Sequence, residues 1–391
     1  MPKRPTTRHI AVIIDAVRPY DRKIIGGVAA YTQEVDNWSL YVEEDPLEKL
    51  PDLRTWQGDG IIANLDDRRV AEAVCGLKVP LVGVGGGYGW YDPASRIPYV
   101  ATDNLKIARL AVEHFLQRGY RRLAFCGYPR TRINRWSEER GKAFAALARE
   151  YGCPCSIHIG RRETARRWQS LQREMMEWLR QLEKPVAVLG CNDSRARHVL
   201  EACRGLCLRV PEDVAVLGVD NDEMICELTS PPLSSIEQGA RRIGYQAAAL
   251  LDRLMGGKKT AELRCVVEPE GIATRRSSDS LAIADAEIST AVHFIRNRAL
   301  EGIGVDDVVT AVGMSRSTMT RRFKEIMGCS ILTEIDRVRM ARAKQLLATS
   351  DLPLKRVAAL SGFRYLSYFC RRFQQLSGQA PNEFRQRAQL K

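Results

Sequence analysis

Short acidic and amide side chains, with an arginine among them, follow several apolar runs in the first 280 residues. These side chains are Asp15, Arg18, Asp21, Asn192, Asp193, Asp220 and Asn221. A hydroxyl group can donate a hydrogen bond to a carboxylate and accept one from a guanidinium, so these residue types suit a ligand with vicinal hydroxyls. Asp and Asn directly after a strand are also common helix N-caps, and that interpretation stays open for each residue taken alone. Their recurrence after several strands favours a polyol site.

The apolar runs before these residues predict buried strands. The clearest run is residues 10–14, and similar runs occur in DGIIANL, PLVGVGG, YVATD, RRLAFCGYP, PVAVLGC and VAVLGVD. Amphipathic helices lie between them, the first predicted from residue 24 to 31 after a loop over residues 15–23. Strands that alternate with helices form a parallel sheet covered on both faces, and ligands bind at the carboxyl ends of such strands. The alternation of strands and helices begins a second time at RRLAFCGYP, which predicts two α/β lobes.

The last part of the chain contains two copies of one pattern. The copies span residues 305–328 and 354–378, and in each a short helix ends in glycine and a second helix closes on Arg-Arg-Phe. Gly313 in the first copy matches Gly362 in the second. Glycine accepts a positive φ, which lets one helix end and the next cross it at a steep angle. The pattern predicts a duplicated helix-turn-helix.

Each copy carries its own apolar set, and a third set lies on the helix between them. The set of the first copy is Val308, Val309, Val312, Met314, Met319 and Phe323. The set of the second copy is Val357, Ala358, Leu360, Phe363, Phe369 and Phe373. The intervening helix carries Ile331, Ile335, Val338, Ala341, Ala343 and Leu346. A helical bundle without a nucleic-acid role is the alternative, but two copies in register on a basic segment favour DNA binding.

Charge and composition bound the function. The net charge of +13 is uneven, because residues 281–391 hold 18 Lys and Arg against 10 Asp and Glu. A basic segment that coincides with the duplicated motif fits DNA binding, where protein cations replace the counterions of the phosphates. The eleven cysteines show no zinc-ligand spacing and no catalytic motif stands out, so we expect no cofactor, no metal and no catalytic residue. No signal peptide or membrane span is evident, and we expect a cytoplasmic protein on the nucleoid.

Residues 286–388 resemble the DNA-binding domain of the AraC/XylS family of transcription regulators. The two motifs carry the resemblance, together with the tail QAPNEFR at residues 379–385. The resemblance implies base contacts from the recognition helices through Ser317, Thr320, Arg321, Leu366, Ser367 and Arg371. We expect three further arginines to hold phosphates, namely Arg316, Arg322 and Arg372. Many family members have a proline where this chain has CSI at residues 329–331, so we expect a looser turn there.

Residues 9–275 resemble the sensor domain of the LacI/GalR family, which is similar to periplasmic sugar-binding proteins. The matching segments are VATDN (100–104), RG (140–141), CND (191–193), VPEDVAVLGVDN (210–221) and SSIEQ (234–238). The family's sugar-holding residues fall here on Arg140, Asn192, Asp193 and Asp220. We expect Arg140 and Asp220 to bond only to the ligand, while Trp136 either stacks on a sugar face or packs. The family carries its DNA-binding headpiece before the sensor, whereas the motifs of this chain come after it.

Together the resemblances imply a two-lobed, periplasmic-binding-protein-like α/β sensor followed by an all-α double helix-turn-helix domain. The expected bounds are residues 1–275 for the sensor, 276–284 for a linker and 285–391 for the DNA-binding domain. The layout implies an activator of pentose catabolism with a sugar effector such as D-xylose, working as a homodimer on operator DNA with RNA polymerase. Two alternatives stay open: a ribose or purine sensor on the same scaffold, and an enzyme acting on a sugar or nucleotide with the tail as a tether.

Overall fold

The structure is a computed structural model of the chain, which divides into two compact units, residues 1–282 and 283–391. It describes residues 7–43, 53, 56–74, 76–87, 96–129, 135–161, 167–258, 263–279, 285–350 and 352–389. The first unit combines strands and helices, and the second is helical.

The elements of the first unit alternate along the chain, as the apolar runs predict. Its strands are β1 (Arg8–Ile13), β2 (Trp38–Val42), β3 (Gly60–Asn64), β4 (Leu81–Gly85), β5 (Tyr99–Thr102), β6 (Leu123–Gly127), β7 (Cys155–Ile159), β8 (Val186–Gly190), β9 (Val214–Val219), β10 (Ser234–Glu237), β11 (Arg264–Val267) and β12 (Gly271–Ala273). Its helices are α1 (Pro19–Val35), α2 (Arg68–Val74), α3 (Asn104–Gln117), α4 (Arg135–Glu150), α5 (Trp168–Gln181), α6 (Asp193–Gly205), α7 (Glu223–Leu228) and α8 (Ala240–Met255).

These strands form two sheets, one in each lobe. Among the described residues the strand order is β11-β5-β4-β3-β1-β2 in the first sheet and β12-β10-β9-β8-β6-β7 in the second. The recorded pairs are parallel apart from β10 with β12. Strands such as β8 and β9 are buried along their whole length, which explains their unbroken apolar sequence. The prediction of two α/β lobes with parallel sheets is confirmed.

The chain passes between the lobes more than once. Helix α3 follows β5 of the first sheet but packs in the core of the second lobe through Ile107 and Phe115. Helix α8 follows β10 of the second sheet but packs in the core of the first lobe through Ile243 and Ala247. Strand β11 then completes the first sheet, and β12 completes the second. Each lobe is therefore assembled from separate stretches of the chain.

Helices α1 and α8 meet backbone to backbone in the first lobe. A Cβ atom added to Gly27 would lie 1.9 Å from the carbonyl oxygen of Arg241, and one added to Gly244 would lie 1.9 Å from that of Ile24. Glycine at both positions is what permits this approach, because any larger residue would collide with the opposite backbone.

Helix α1 begins earlier than the sequence analysis predicts. It starts at Pro19 rather than at residue 24, so the predicted loop over residues 15–23 is wrong from residue 19 onward. Proline suits the first position of a helix, because its φ is fixed near the helical value and the missing N–H would have no partner there. Asp21 consequently lies in the first turn of α1, where it is buried.

The predicted linker also begins too early. Ser277 and Ser278 are fully buried, and the Ser277 carbonyl accepts a hydrogen bond of 2.8 Å from the Val216 N–H of β9. Ser277 Oγ accepts a second one from the Ser234 N–H at 2.8 Å. Residues 276–279 are therefore part of the first unit, because Ser277 bonds to strands β9 and β10 of the second sheet.

The second unit contains the duplicated motif. Its elements are α9 (Ala286–Arg298), a 3-10 turn (Ala299–Glu301), α10 (Val305–Val312), α11 (Arg316–Met327), α12 (Ile331–Thr349), α13 (Leu354–Leu360), α14 (Leu366–Ser377) and α15 (Pro381–Gln389). The all-α double helix-turn-helix fold is confirmed, with α11 and α14 as the second helices of the two copies. The turn before α12 is capped at both ends rather than loose, since Gly328 has a φ of 68° and Ser330 Oγ accepts from the Thr333 N–H at 3.1 Å.

Each copy has its own core, and the predicted apolar sets occupy these two cores with two exceptions. Leu360 is 38% exposed, because Ser361 takes the inward position one turn after Val357. Ala341 on α12 is exposed, because Met340 takes the inward position there. The predicted glycine turns are confirmed, with a φ of 74° at Gly313 and of 78° at Gly362.

Candidate effector site and DNA-binding surface

A cavity of about 730 Å³ lies between side chains of the two lobes of the first unit. The lining omits Asn221 but includes every other residue that the sequence analysis assigned to an effector: Asp15, Arg18, Asp21, Trp136, Arg140, Asn192, Asp193 and Asp220. Parallel strands bring their carboxyl ends to one edge of a sheet, so residues that follow β1, β8 and β9 converge on this space.

The wall formed by the first lobe presents carboxylates with few partners inside the protein. Asp15 Oδ1 accepts a hydrogen bond from the Val17 N–H at 2.9 Å, and its Oδ2 lies 3.3 Å from Arg18 Nε. Asp21 Oδ1 accepts one from Asn64 Nδ2 at 3.3 Å. Burial raises the pKa of Asp21 to about 8, and the charge of Arg18 opposes that rise. A ligand hydroxyl that donates to Asp21 would stabilise its ionised form.

The pair Asn192 and Asp193 is largely engaged within the second lobe. Asn192 Oδ1 accepts a hydrogen bond from the Arg195 N–H at 3.0 Å, so Asn192 is the N-cap of α6. The Asp193 carboxylate accepts from Ser235 Oγ and, at 2.7 Å, from the Asp222 N–H. Burial raises the pKa of Asp193 well above its usual range. The helix-cap interpretation is therefore correct for Asn192. Asp193 stabilises the loop after β9 through its hydrogen bond from the Asp222 N–H.

Arg140 is buried, with 1% of its surface exposed, and joins three parts of the first unit. Its Nε and Nη2 donate to Asn104 Oδ1 at 3.1 and 2.9 Å, and Nη2 also donates to Gln238 Oε1 at 3.0 Å. Its Nη1 donates to the Cys191 carbonyl. Four of the five N–H groups of the guanidinium are thus bonded within the protein, so the expectation that Arg140 bonds only to a ligand is wrong.

Asp220 follows β9 in an uncommon backbone conformation. Its φ is 119°, and the φ of Asn221 is 48°, values that residues other than glycine rarely adopt. Asp220 Oδ1 accepts a hydrogen bond from Gln238 Nε2, so Asp220 too has a partner within the protein. Burial raises the pKa of Asp220 to about 7, and the charge of Arg140 opposes that rise.

The sequence analysis missed further residues that line the cavity, among them Tyr20, Asn64, Asp66, Asp67, Arg69, Tyr128 and Gln238. Asp66 accepts hydrogen bonds from the Tyr99 hydroxyl at 2.6 Å and from the Gly86 N–H at 2.7 Å. Burial raises the pKa of Asp66 to about 7. A Cβ atom at Gly85 would lie 2.2 Å from the Tyr99 hydroxyl, so the glycine at the end of β4 makes room for this group. Asp66 follows β3 as Asp15 follows β1, so its position after a predicted strand could have identified it as a cavity residue from the sequence alone.

Trp136 packs inside the second lobe and also borders the cavity, and its stacking on a sugar stays a prediction. The guanidinium carbon of Arg140 lies 5.1 Å from the centre of the ring, within the range of a cation–π contact. One face of the ring is therefore held by the protein.

The described residues contain neither a metal-ligating cluster nor a membrane-spanning helix. Across the described part of the chain, no group of three or more His, Cys, Asp and Glu side chains could hold a metal ion. No helix in that part has both the length and the apolar character needed to cross a membrane.

The second unit exposes the side chains that the sequence analysis assigned to DNA bases. They are Ser317, Thr320 and Arg321 on α11, with Leu366, Ser367 and Arg371 on α14. Arg321 pairs with Glu325 at 3.1 Å, and both side chains are more than half exposed. Arg371 lies with its guanidinium carbon 5.8 Å from the centre of the Tyr368 ring. Both arginines are thus held only by exposed neighbours.

Two of the three arginines assigned to phosphates have carboxylate partners inside the unit. Arg322 Nε donates to Asp285 Oδ2 at 3.1 Å, and Arg372 Nε donates to Asp336 Oδ2 at 2.7 Å. Each ion pair joins a recognition helix to a helix outside its own copy, which is a structural role. The side chains of Arg322 and Arg372 are still 31% and 20% exposed, so phosphate contacts from these two arginines stay a prediction. Arg316 remains exposed, paired with the exposed Asp306 at 2.6 Å.

The two units together define a class of protein: a two-lobed sensor with a polar cavity, joined to a double helix-turn-helix unit with exposed polar and basic recognition faces. Comparison with known families agrees with this division. Residues 9–105 match the XylR N-terminal domain, residues 112–278 match the periplasmic binding protein-like domain, and residues 308–387 match a helix-turn-helix domain.

Relatives with the same layout span nearly the whole chain. The xylose operon regulatory protein of Escherichia coli strain K12 is 36% identical over 382 residues, which cover 97% of each chain. That of Haemophilus influenzae is 34% identical over 377 residues, covering 96% of this chain and 97% of its own. The solved structure of the xylose-binding transcription activator xylR has 35% identity, covers 99% of both chains and gives a TM-score of 0.72. The chain belongs to the family of xylose operon regulatory proteins, and it is a sugar-responsive, DNA-binding transcription regulator.

Proposed function

We propose that the chain activates genes of pentose catabolism in response to D-xylose. The observation that carries this proposal is the cavity, where Asp21 of the first lobe faces the same space as Asp220 of the second, with Arg18 beside them. Carboxylates that accept from hydroxyls, together with a guanidinium that donates to them, suit a small neutral polyol. The names of the relatives, which refer to xylose, support D-xylose as that polyol.

The proposed mechanism is a population shift in the sensor. Contacts from Asp15, Arg18 and Asp21 in one lobe and from Asp220 in the other would stabilise the state in which both lobes hold the sugar. In a homodimer, that state would present the two DNA-binding units in the arrangement that fits operator DNA and recruits RNA polymerase. Such a regulator would work on the nucleoid, in the cytoplasm.

A thermal-shift screen of the full chain with D-xylose, D-ribose, L-arabinose, D-glucose and adenine tests the effector. D-Xylose at a hundred times its dissociation constant should add about 2.7 kcal/mol to the free energy of unfolding of the sensor. Asp220→Ala should lose this shift. Arg140→Ala should lose it and also lower the melting temperature without sugar, because Arg140 bonds to Asn104 and Gln238.

Other outcomes of the screen would change the proposal. A shift with D-ribose or adenine but none with D-xylose would replace the effector. Chemical conversion of a sugar by the full chain would instead show an enzyme. A normal D-xylose shift in Asp220→Ala would mean that the sugar binds elsewhere.

Binding of D-xylose should release protons near neutral pH. Asp21 and Asp220 have pKa values raised to about 8 and about 7, so a fraction of each is protonated at pH 7. A sugar hydroxyl donates to the ionised carboxylate, so binding favours deprotonation, and the affinity should rise from about pH 6 to about pH 9 and then level off. Titration calorimetry in two buffers with different ionisation enthalpies measures the released protons. Identical heats in the two buffers would contradict this assignment.

A further inference from the structure

Lys23 connects the first lobe to the segment of the second lobe that carries Asp220. Its Nζ donates to the Asp220 carbonyl at 2.6 Å, to the Asn221 carbonyl at 3.2 Å and to Glu237 Oε2 at 2.6 Å. An ammonium group has three N–H donors, so all of them are used. Lys23 lies on α1, where the next residue, Ile24, belongs to the core of the first lobe. Asp220 and Asn221, in contrast, directly follow β9 of the second sheet.

The backbone that Lys23 holds is strained. Asp220 and Asn221 are successive residues with φ values of 119° and 48°, and neither is glycine. The second lobe contributes two further bonds: the Asn221 N–H donates to Ser235 Oγ at 2.9 Å, and Asn221 Oδ1 accepts from Arg275 Nη2 at 3.0 Å. The carbonyl groups of Asp220 and Asn221 both accept from the Lys23 ammonium, so Lys23 stabilises the strained positive-φ conformation of these two residues.

An ordinary surface ion pair would not have this effect. The Lys23 and Glu237 side chains are 31% and 23% exposed, and a pair this accessible adds little to stability by itself. Two of the three acceptors of Lys23 are backbone carbonyls, however, and their direction is set by the dihedral angles of Asp220 and Asn221. The contact therefore acts on the conformation of the segment more than on the stability of the fold.

We propose that Lys23 is a positioning residue that couples the approach of the two lobes to the conformation of Asp220 and Asn221. With the lobes together, the ammonium holds the two carbonyls and keeps the Asp220 carboxylate at the cavity. When the lobes separate, these bonds break, and the segment relaxes away from the binding position. The inference rests on the proposed role of Asp220 in holding the effector. It adds a residue outside the cavity lining that sets the affinity for the sugar.

Hydrogen–deuterium exchange of the full chain without sugar tests the coupling directly. Lys23→Met keeps the length of the side chain but removes its donors, and the amides of Asn221 and Asp222 should then exchange about tenfold faster or more. Lys23→Arg keeps the charge and the donors and should restore most of the protection. Arg8→Met is the matched control, because Arg8 and Asp252 form a 2.6 Å pair of similar exposure that lies within the first lobe.

Sugar affinity is the second readout. The affinity of Lys23→Met for D-xylose should fall about tenfold, while Lys23→Arg and Arg8→Met bind like the unsubstituted protein. The melting temperature of Lys23→Met without sugar should stay close to that of the unsubstituted protein.

Two results would overturn the coupling. One is unchanged exchange at Asn221 and Asp222 in Lys23→Met. The other is faster exchange throughout the first unit, which would show a general structural role. If the unsubstituted protein does not bind D-xylose, the proposed effector fails, and the exchange experiment without sugar still decides whether the coupling exists.

Discussion

The two helix-turn-helix copies have the same arrangement of helices, but the ion pairs that join their recognition helices to the rest of the unit differ in burial. In each, an arginine at the same place in the recognition helix reaches a carboxylate outside the copy. Arg322 pairs with Asp285 at the start of α9, whose side chain is 14% exposed. Arg372 pairs with Asp336 on α12, whose side chain is 1% exposed. The arginine therefore has the same position in both copies, but only in the second copy is its carboxylate partner fully buried.

The recognition faces differ as well. Helix α11 starts with a side-chain cap, in which Ser315 Oγ accepts from the Thr318 N–H, whereas Tyr365 precedes α14 without such a bond. Tyr365 is 71% exposed and Leu366 is 39% exposed, so the second face begins with an aromatic ring and an aliphatic side chain where the first has Ser315 and Arg316. A repeated scaffold thus presents two unlike faces, and one chain should read two unlike sequences.

The largest effect should come from removing Arg372. Arg372→Ala leaves the Asp336 carboxylate buried without its cation, and breaking a buried pair in this way costs about 3–5 kcal/mol of the free energy of unfolding. Arg322→Ala should cost far less, because Asp285 is closer to water. All six tryptophans precede residue 180, so circular dichroism compared with tryptophan fluorescence separates the unfolding of the DNA-binding unit from that of the sensor. Equal losses in the two variants would show that the copies are secured alike.

Substitution of the turn glycines should give the next largest difference between the copies in the free energy of unfolding. Gly362→Ala places a Cβ atom 2.5 Å from the Ala299 carbonyl oxygen, in addition to the strain of a φ of 78°. Left-handed strain of about 1–2 kcal/mol and overpacking of about 1–3 kcal/mol should then add. Gly313→Ala has only the first cost, since no atom lies within 4 Å of its added Cβ. The same denaturation experiment measures both, and a larger loss for Gly313→Ala would reverse the comparison.

The exposed arginines should affect DNA reading rather than folding. Arg321→Ala and Arg371→Ala should each cost about 1–3 kcal/mol of binding free energy and relax the preference at one base pair. The two affected base pairs should lie about one helical turn apart, roughly 34 Å, because each recognition helix enters its own major groove. Arg316→Ala should instead weaken all sequences alike and reduce the salt dependence by about one unit. Binding to a randomised site at two salt concentrations distinguishes these outcomes, and a uniform loss for Arg321→Ala would contradict its role as a base reader.

The helix caps should give the smallest difference. Ser315→Ala removes a side-chain cap and should cost about 1 kcal/mol of the free energy of unfolding. Tyr365→Ala removes no cap bond, so its effect should stay within about 0.5 kcal/mol. Thermal unfolding followed by circular dichroism is sufficient for this pair. A larger loss for Tyr365→Ala would show that its ring, though mostly exposed, stabilises the second copy.

Elements with long periodic patterns could be predicted from the sequence, and bonds between distant residues could not. The strand runs and the duplicated motif determine the fold class because each is a local pattern of apolar spacing. The start of α1 was missed because Pro19 also fits a loop. In the same way, the sequence shows that Arg372 belongs to a recognition helix, but its partner Asp336 lies 36 residues away on another helix.

The cavity illustrates the same limit. Residue types and their places after strands were enough to assign six side chains to one cavity, and the resemblance to the LacI/GalR family added Arg140 with its neighbour Trp136. They could not show that Arg140 uses most of its donors on Asn104, Cys191 and Gln238, because those residues come from separate parts of the chain. The sequence could thus indicate which side chains line the site, but it could not indicate which of their hydrogen-bonding groups remain available to a ligand.

The close contact of α1 with α8 also constrains how the protein assembles as it is synthesised. Helix α1 leaves the ribosome early, yet its partner α8 ends at Met255 and β11 ends at Val267, after about two-thirds of the chain has been made. Until then Ile24 and Val28, which are buried in the finished lobe, have no complete core to enter. The first lobe should therefore finish folding after most of the second lobe, although its sequence begins first. Helix α1 must therefore avoid non-native contacts until α8 and β11 have been translated.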